Sequence, residues 1–161
     1  MLITILKLKL AIIIFMKIKK IGHCCLRIEE QETVILTDPG VFSTLQNEEQ
    51  GIDIVLITHE HGDHLHIESL KKILENNPNV TVFGNHSVKA LIEKEGMQCE
   101  EIKDGEPIKI GVVEIESFSC GHAEIYPSID PVWNSGFFIS EKLFTAGILK
   151  VLNFTLWQKN V

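Results

Sequence analysis

Cysteine is scarce in this chain, and what there is does not form a structural pattern. The four cysteines among 161 residues (Cys24, Cys25, Cys99 and Cys120) include no C-x-x-C pair. They fall far below the density of a secreted disulfide scaffold, which leaves reduced thiols in a cytoplasmic protein as the expectation. Long apolar runs are missing too. The opening "MLITILKLKLAIIIF" is broken by Lys7 and Lys9, and the run from Leu10 to Phe15 is far too short to span a membrane. No small-residue cleavage site follows it, so a signal peptide is not expected. Acids are absent from residues 1–20, which hold five lysines, so residues 21–161 carry 10 bases against 22 acids, a balance of −12. An acidic body of this kind argues against a nucleic-acid backbone as partner. Internal repeats, low-complexity tracts and linkers are lacking as well, and the length suits one globular domain.

Met16 begins "MKIKKIGHCC", which reads like an independent protein start, so residues 1–15 are expected to be an N-terminal extension without function. From there Lys17 to Ile21 and Cys24 to Ile28 alternate polar and apolar residues like short strands, and "TVILTDPG" is a third strand stopped by Asp38-Pro39-Gly40. "IDIVLITH" has the β-branched, unbroken apolar composition of a strand buried on both faces. A helix is predicted through "DHLHIESLKKILENNP", then a strand at "VTVFGN", then a helix at "SVKALIEKEG" with Ser87 as N-cap and Gly96 as stop. Residues 100–119 return to β structure, and "SGFFISEKLFTAG" predicts a hairpin turning at Ser140-Glu141-Lys142. The order implies a layered α/β architecture with mixed sheets.

The informative stretch is "THEHGDH", Thr58 to His64, directly after the most apolar strand. Neutral imidazole is a strong ligand for zinc and related ions, so several at short fixed spacing can surround one cation. His59 and His61, two apart on an extended segment, point to the same side. Asp63 and His64 fall where the chain turns towards a helix and can face a second ion. A merely solvated loop would not gather five of the chain's seven histidines between His59 and His86, counting His66, at the end of a buried strand. Strand ends are where α/β folds place active sites.

His59-x-His61-x-Asp63-His64 resembles the signature of the metallo-β-lactamase superfamily of metal-dependent hydrolases. "KIKKIGHCCLRIE", "ILTDPG", "SCGHAEIYP" and "NSGFFISEKLFTAG" resemble the small Zn-dependent hydrolases of that fold, near the ascorbate-6-phosphate lactonase-like branch. The resemblance runs over 16–147. It implies an αβ/βα four-layer sandwich, α/β in class and α+β in some schemes. It further implies that His59, His61 and His122 hold a first zinc, that Asp63 and His64 serve a second, and that Asp63 also orients the attacking water as the catalytic residue. Asp38 is a candidate to support a ligand histidine, and His23 either lines the cavity or makes structural hydrogen bonds.

The resemblance ends at Gly147. Family members continue with an aspartate that bridges both ions and later a last histidine, whereas "ILKVLNFTLWQKNV" (148–161) contains neither. This non-matching tail predicts a truncated domain with the C-terminal part of the sandwich missing, one zinc at most, and self-association through an uncovered sheet edge. The activity implied is hydrolysis of a small metabolite, phosphorylated or lactone-containing in character, with an inactive zinc-binding fragment or a nuclease or phosphodiesterase of the same superfamily as rivals. His66 and His86 are expected to be solvated, Cys120 to be a small buried thiol, and Tyr126, Asp130 and Trp133 carry no assigned role.

Overall fold

The computed structural model of the chain describes residues 16–123 and 132–147. Strands β1 (Lys17–Gly22), β2 (Cys25–Glu30), β3 (Thr33–Thr37), β4 (Ile54–Ile57), β5 (Thr81–Gly84) and β6 (Glu100–Glu101) form one sheet in sequential order. The first three are antiparallel, and β3 through β6 run parallel, with Ile35 opposite Ile54 and Val55 opposite Val82. A second, antiparallel sheet has the order β10 (Leu143–Thr145), β9 (Trp133–Ile139), β8 (Val113–Gly121), β7 (Ile108–Ile110).

The strand of greatest consequence is β4. All four of its residues are fully buried, and their alternation sends them to two different cores. Val55 and Ile57 join Leu36, Leu70, Ile73, Val88 and Ile92 beneath the helices. Ile54 and Leu56 join Ile28, Ile35, Ile115, Phe137 and Ile139 between the sheets. At about 1.5–3 kcal/mol for each large side chain removed from water, these two cores fix where β4 ends. The described residues thus build helix, sheet and sheet layers, the arrangement expected for the first part of the four-layer sandwich.

Helix α1 (Ile67–Asn76) follows from the 3–4 spacing of Leu70, Ile73 and Leu74, and it stops at Asn77, whose amide donates to the Ile73 carbonyl at 2.8 Å ahead of Pro78. The sequence suggested a start nearer Asp63, but Asp63 and His64 lie in a turn before the helix, where the N–H groups of His64 and Leu65 both donate to the His61 carbonyl at 2.8 Å. Helix α2 (His86–Lys94) begins one turn position earlier than its predicted cap. Asn85, and not Ser87, is the N-cap, its side-chain oxygen accepting from the N–H of Ser87 and Val88 at 3.1 Å each. Gly96, at φ +79°, ends the helix as expected. The predicted hairpin joins β9 to β10 through Ser140 and Glu141, both at positive φ, and Lys142 reaches across to the buried Glu30 of β2 at 2.5 Å. No helix among the described residues is long and apolar enough to cross a membrane.

Candidate metal centre

The site begins where β4 stops. Thr58, His59 and His64 are fully buried, and a single carboxylate lies beneath them. Asp38, 3% exposed, accepts from the Thr58 backbone N–H at 2.8 Å, from the Thr58 hydroxyl at 3.1 Å, and from His64 Nδ1 at 3.0 Å. Asp38 sits at φ +41°, an unfavourable region for a residue with a side chain, and the network around it holds it there. Its neighbour Gly40 makes the packing feasible. A Cβ at that position would lie 1.7 Å from the Asp63 carbonyl oxygen, so only glycine lets the 38–41 loop pass under the histidine segment. Val41 N–H donates to the Gly62 carbonyl at 2.8 Å, and the buried Gln46 amide donates to the Gly40 carbonyl at 2.9 Å.

These bonds determine the tautomers. An ionised carboxylate only accepts, so His64 Nδ1 carries the proton. The Thr58 hydroxyl gives its proton to Asp38 and can therefore accept from His59 Nδ1, 3.0 Å away. His122, at the end of β8, donates Nδ1–H to the Ala123 carbonyl at 2.6 Å. In each of the three rings Nε2 is left with a bare lone pair. The Nε2 atoms of His59, His64 and His122 are buried and have no hydrogen-bond partner among the described residues. An orphaned buried nitrogen costs about 1–3 kcal/mol, and three in one place are hard to account for without a cation.

The donors converge in two groups. The ligating atoms of His59, His61 and His122 lie within 4.8 Å of one another, as do those of His59, Asp63 and His64. The three rings of the first group form an even triangle with centroids 4.8 Å apart. Protonation states suit a cation as well. Burial, followed by the neighbouring His64, His61 and His122, pushes His59 down to about 3, and burial with His122 lowers His61, so both rings are neutral near pH 7. Burial works to raise Asp63, but His64, its own backbone N–H and His23 outweigh it and keep the carboxyl below the usual range. Neutral imidazoles beside an ionised carboxylate are the forms that bind a divalent ion. The residues present therefore fit a metal.

The remaining sequence candidates divide. His23 Nε2 is 3.0 Å from Asp63 Oδ2, so it meets the site through that carboxylate. His66 bonds the Ser69 hydroxyl at 2.9 Å at the start of α1, and His86 leans on Trp133 with centroids 5.9 Å apart. Neither belongs to a donor group among the described residues. The side chain of Cys120 and all of Tyr126 and Asp130 lie outside the described residues. Two residues were missed altogether. Thr58 relays Asp38 to His59, and the Asn85 amide donates to the Thr58 carbonyl at 3.0 Å and the Trp133 carbonyl at 3.2 Å, tying α2 to both sheets. An asparagine between a strand and a helix is a cap signature, which was the available signal for Asn85.

The family described as the beta-lactamase superfamily domain matches residues 17–148, most of the chain and the whole of this site. The chain belongs to the metallo-β-lactamase superfamily. Among curated proteins it is 29% identical over 133 residues to a UPF0173 metal-dependent hydrolase of Methanocaldococcus jannaschii, covering 78% of this chain and 58% of that one. It is 27% identical over 134 residues to protein Rv0786c of Mycobacterium tuberculosis, covering 83% and 62%. The chain thus spans about three fifths of the length of these relatives. Two solved structures share the fold at 19% identity: CmlA, a diiron β-hydroxylase from Streptomyces venezuelae, with TM-score 0.66 over 85% of this chain and 31% of that one, and Igni18, a metallo hydrolase from Ignicoccus hospitalis, with TM-score 0.59 over 82% and 60%. As a metallo-β-lactamase superfamily member the chain carries a fold that works with metal, while CmlA shows that neither the metal nor the reaction follows from the fold.

Proposed function

We propose that this chain is the metal-binding part of a cytoplasmic zinc hydrolase acting on a small metabolite with a lactone or phosphoester bond. The observation that carries the reading is the set of buried imidazole nitrogens of His59, His64 and His122, without a hydrogen-bond partner among the described residues, converging beside Asp63. His59, His61 and His122 would hold the first ion, and Asp63 and His64 would face a second. When bound, the cation supplies Lewis acidity, lowering the pKa of a water and polarising the scissile carbonyl or phosphoryl group. The protein's own part is orientation and proton handling. Asp38 and Thr58 fix the ring planes of His59 and His64, and the ionised, partly exposed Asp63 accepts a hydrogen bond from the attacking water and sets its direction. His23, 3.0 Å from Asp63 Oδ2, holds that carboxylate in place. The acidic composition of residues 21–161 favours a small substrate over nucleic acid.

A second reading, an inactive zinc-binding fragment, draws on one observation. Gly147 ends the described residues against Thr58, where a Cβ on it would lie 2.8 Å from the Thr58 hydroxyl, so the chain leaves β10 beside the site. The residue that follows is Ile148 rather than the aspartate expected to bridge two ions. Self-association through an uncovered sheet edge belongs to the same reading. Elemental analysis of the purified chain separates the readings from a metal-free protein. Bound zinc, with one ion lost in His122→Ala, supports the three-histidine site, and turnover of lactone or phosphoester substrates by that sample then favours the enzyme over the fragment. A folded wild-type sample that retains no metal on zinc addition overturns both.

A further inference from the structure

The turn between β1 and β2 is built in a way that neither strand requires. Two residues connect them, and the first, His23, stands at φ +45°, where a tight hairpin ordinarily places glycine. A side chain there costs on the order of 1–3 kcal/mol, tolerated only when the surroundings enforce it. They do. The Thr37 hydroxyl donates to the Cys24 carbonyl and accepts from the Leu26 N–H, each at 3.0 Å, clamping the second turn residue. The His23 ring stands edge-on to Phe42 at 5.2 Å and to His64 at 5.5 Å. The outcome is a third donor group, His23, Cys24 and His64, with ligating atoms within 4.8 Å of one another. His64 is fully buried and its Nε2, 3.5 Å from Asp63 Oδ2, has no hydrogen-bond partner among the described residues.

We propose that His23 and Cys24 complete a second cation position together with Asp63 and His64. The set of two imidazoles, one carboxylate and one thiolate suits a borderline divalent ion such as zinc or cobalt and disfavours magnesium or calcium. Cys24 loses its thiol proton to solvent as its sulfur binds the ion, and no other bond changes. These donors come from the N-terminal hairpin, remote in sequence from the 59–64 segment. The inference rests on the reading of 59–64 as a metal-binding segment, and it adds two ligands from a different part of the chain.

The test is titration of the metal-free full chain with cobalt(II), following absorbance and bound metal. Two cobalt ions per chain are expected, with a near-ultraviolet sulfur-to-cobalt charge-transfer band. Cys24→Ser should abolish the band and weaken one of the two ions at least tenfold, and His23→Ala should weaken the same ion. His122→Ala should weaken the other ion and keep the band. Absence of the band from the wild-type chain, or its survival in Cys24→Ser with loss in Cys120→Ser, overturns the proposal. A single ion sensitive to His122→Ala but not to Cys24→Ser defeats the second position while leaving the three-histidine site intact. Failure to bind any cobalt defeats both, so the two readings fail in different ways. Circular dichroism of each variant separates lost ligation from lost fold.

Discussion

On the buried side of the site, His59 and His64 are held at zero exposure by bonds that run through Thr58 to one carboxylate, Asp38. On the open side, His23, His61 and Asp63 are partly exposed, and His23 is held mainly by its contacts with Asp63, Phe42 and His64. The contrast separates two tasks. The buried side sets tautomer and direction, which must not vary, and its parts are shared with the core. The open side meets water, and its parts can change without disturbing the sheets. Substitutions on the two sides should therefore fail differently.

The largest effect is expected from Asp38→Ala. It strips the partner from the Thr58 N–H, the Thr58 hydroxyl and His64 Nδ1 at once, and it does so inside the core. A loss of about 3–5 kcal/mol of folding stability in urea titration is expected, together with loss of metal. A stable variant that still binds metal would break the claim that one carboxylate organises both histidines. Next come the two histidines compared directly. Zinc at about one hundred times the dissociation constant of the three-histidine site should stabilise the wild-type chain by about 2.7 kcal/mol through that site, and both His59→Ala and His61→Ala should abolish that contribution. Without metal the two should part. His59→Ala opens a cavity in the core at a cost of roughly 1–3 kcal/mol, while His61→Ala at the rim stays within about 0.5 kcal/mol, as thermal unfolding with and without zinc would show.

Acid should expose the same asymmetry in the metal-free chain. His59 is neutral in the fold down to about 3 and titrates near 6.5 when unfolded. Between those values the unfolded chain binds a proton that the folded one refuses, so stability falls as pH is lowered through that window, by up to about 1.4 kcal/mol per pH unit for this one group. His59→Ala should flatten the curve. Bound zinc should shift the onset of acid unfolding downward, because protons must first displace the cation. Unfolding that is insensitive to pH over this range, in wild type and variant alike, would contradict the burial assigned to His59.

Much of this could be read in the sequence because the relevant signals were local. The "THEHGDH" segment at the end of an unbroken apolar strand gave the donors, the β-branched apolar run itself gave β4, and the 3.6 periodicity gave α1. What escaped was the support. Thr58 reads as an ordinary strand-end threonine, and its role exists only because Asp38, 20 residues earlier, arrives from a parallel neighbour. Ser87 looked like the cap of α2 because the apolar pattern starts there, yet Asn85 can cap the helix and reach Thr58 and Trp133 at the same time, and tertiary bonds decided the matter. Cys24 looked like a bland thiol because no second cysteine sits at a metal spacing. Its donor neighbour His64 comes from 40 residues away.

The smallest effect should come from the open rim. Val41 and Phe42 are exposed, Phe42 at 70%, in the loop whose Val41 N–H is tied to the Gly62 carbonyl beside Asp63. An aromatic ring kept in water next to a polar site is no part of the core, so Phe42→Ala should change stability by less than about 0.5 kcal/mol. It should leave zinc content unchanged, since its contact with His23 is a ring edge and not a donor. If the rim meets substrate, the same change should raise KM for a substrate with an apolar group beside the scissile bond, with kcat nearly constant, because the ring would bind ground state and transition state alike. A fall in kcat at constant KM would instead mean that Phe42 acts through His23 on Asp63, and the open side would then be as tightly coupled to the chemistry as the buried one.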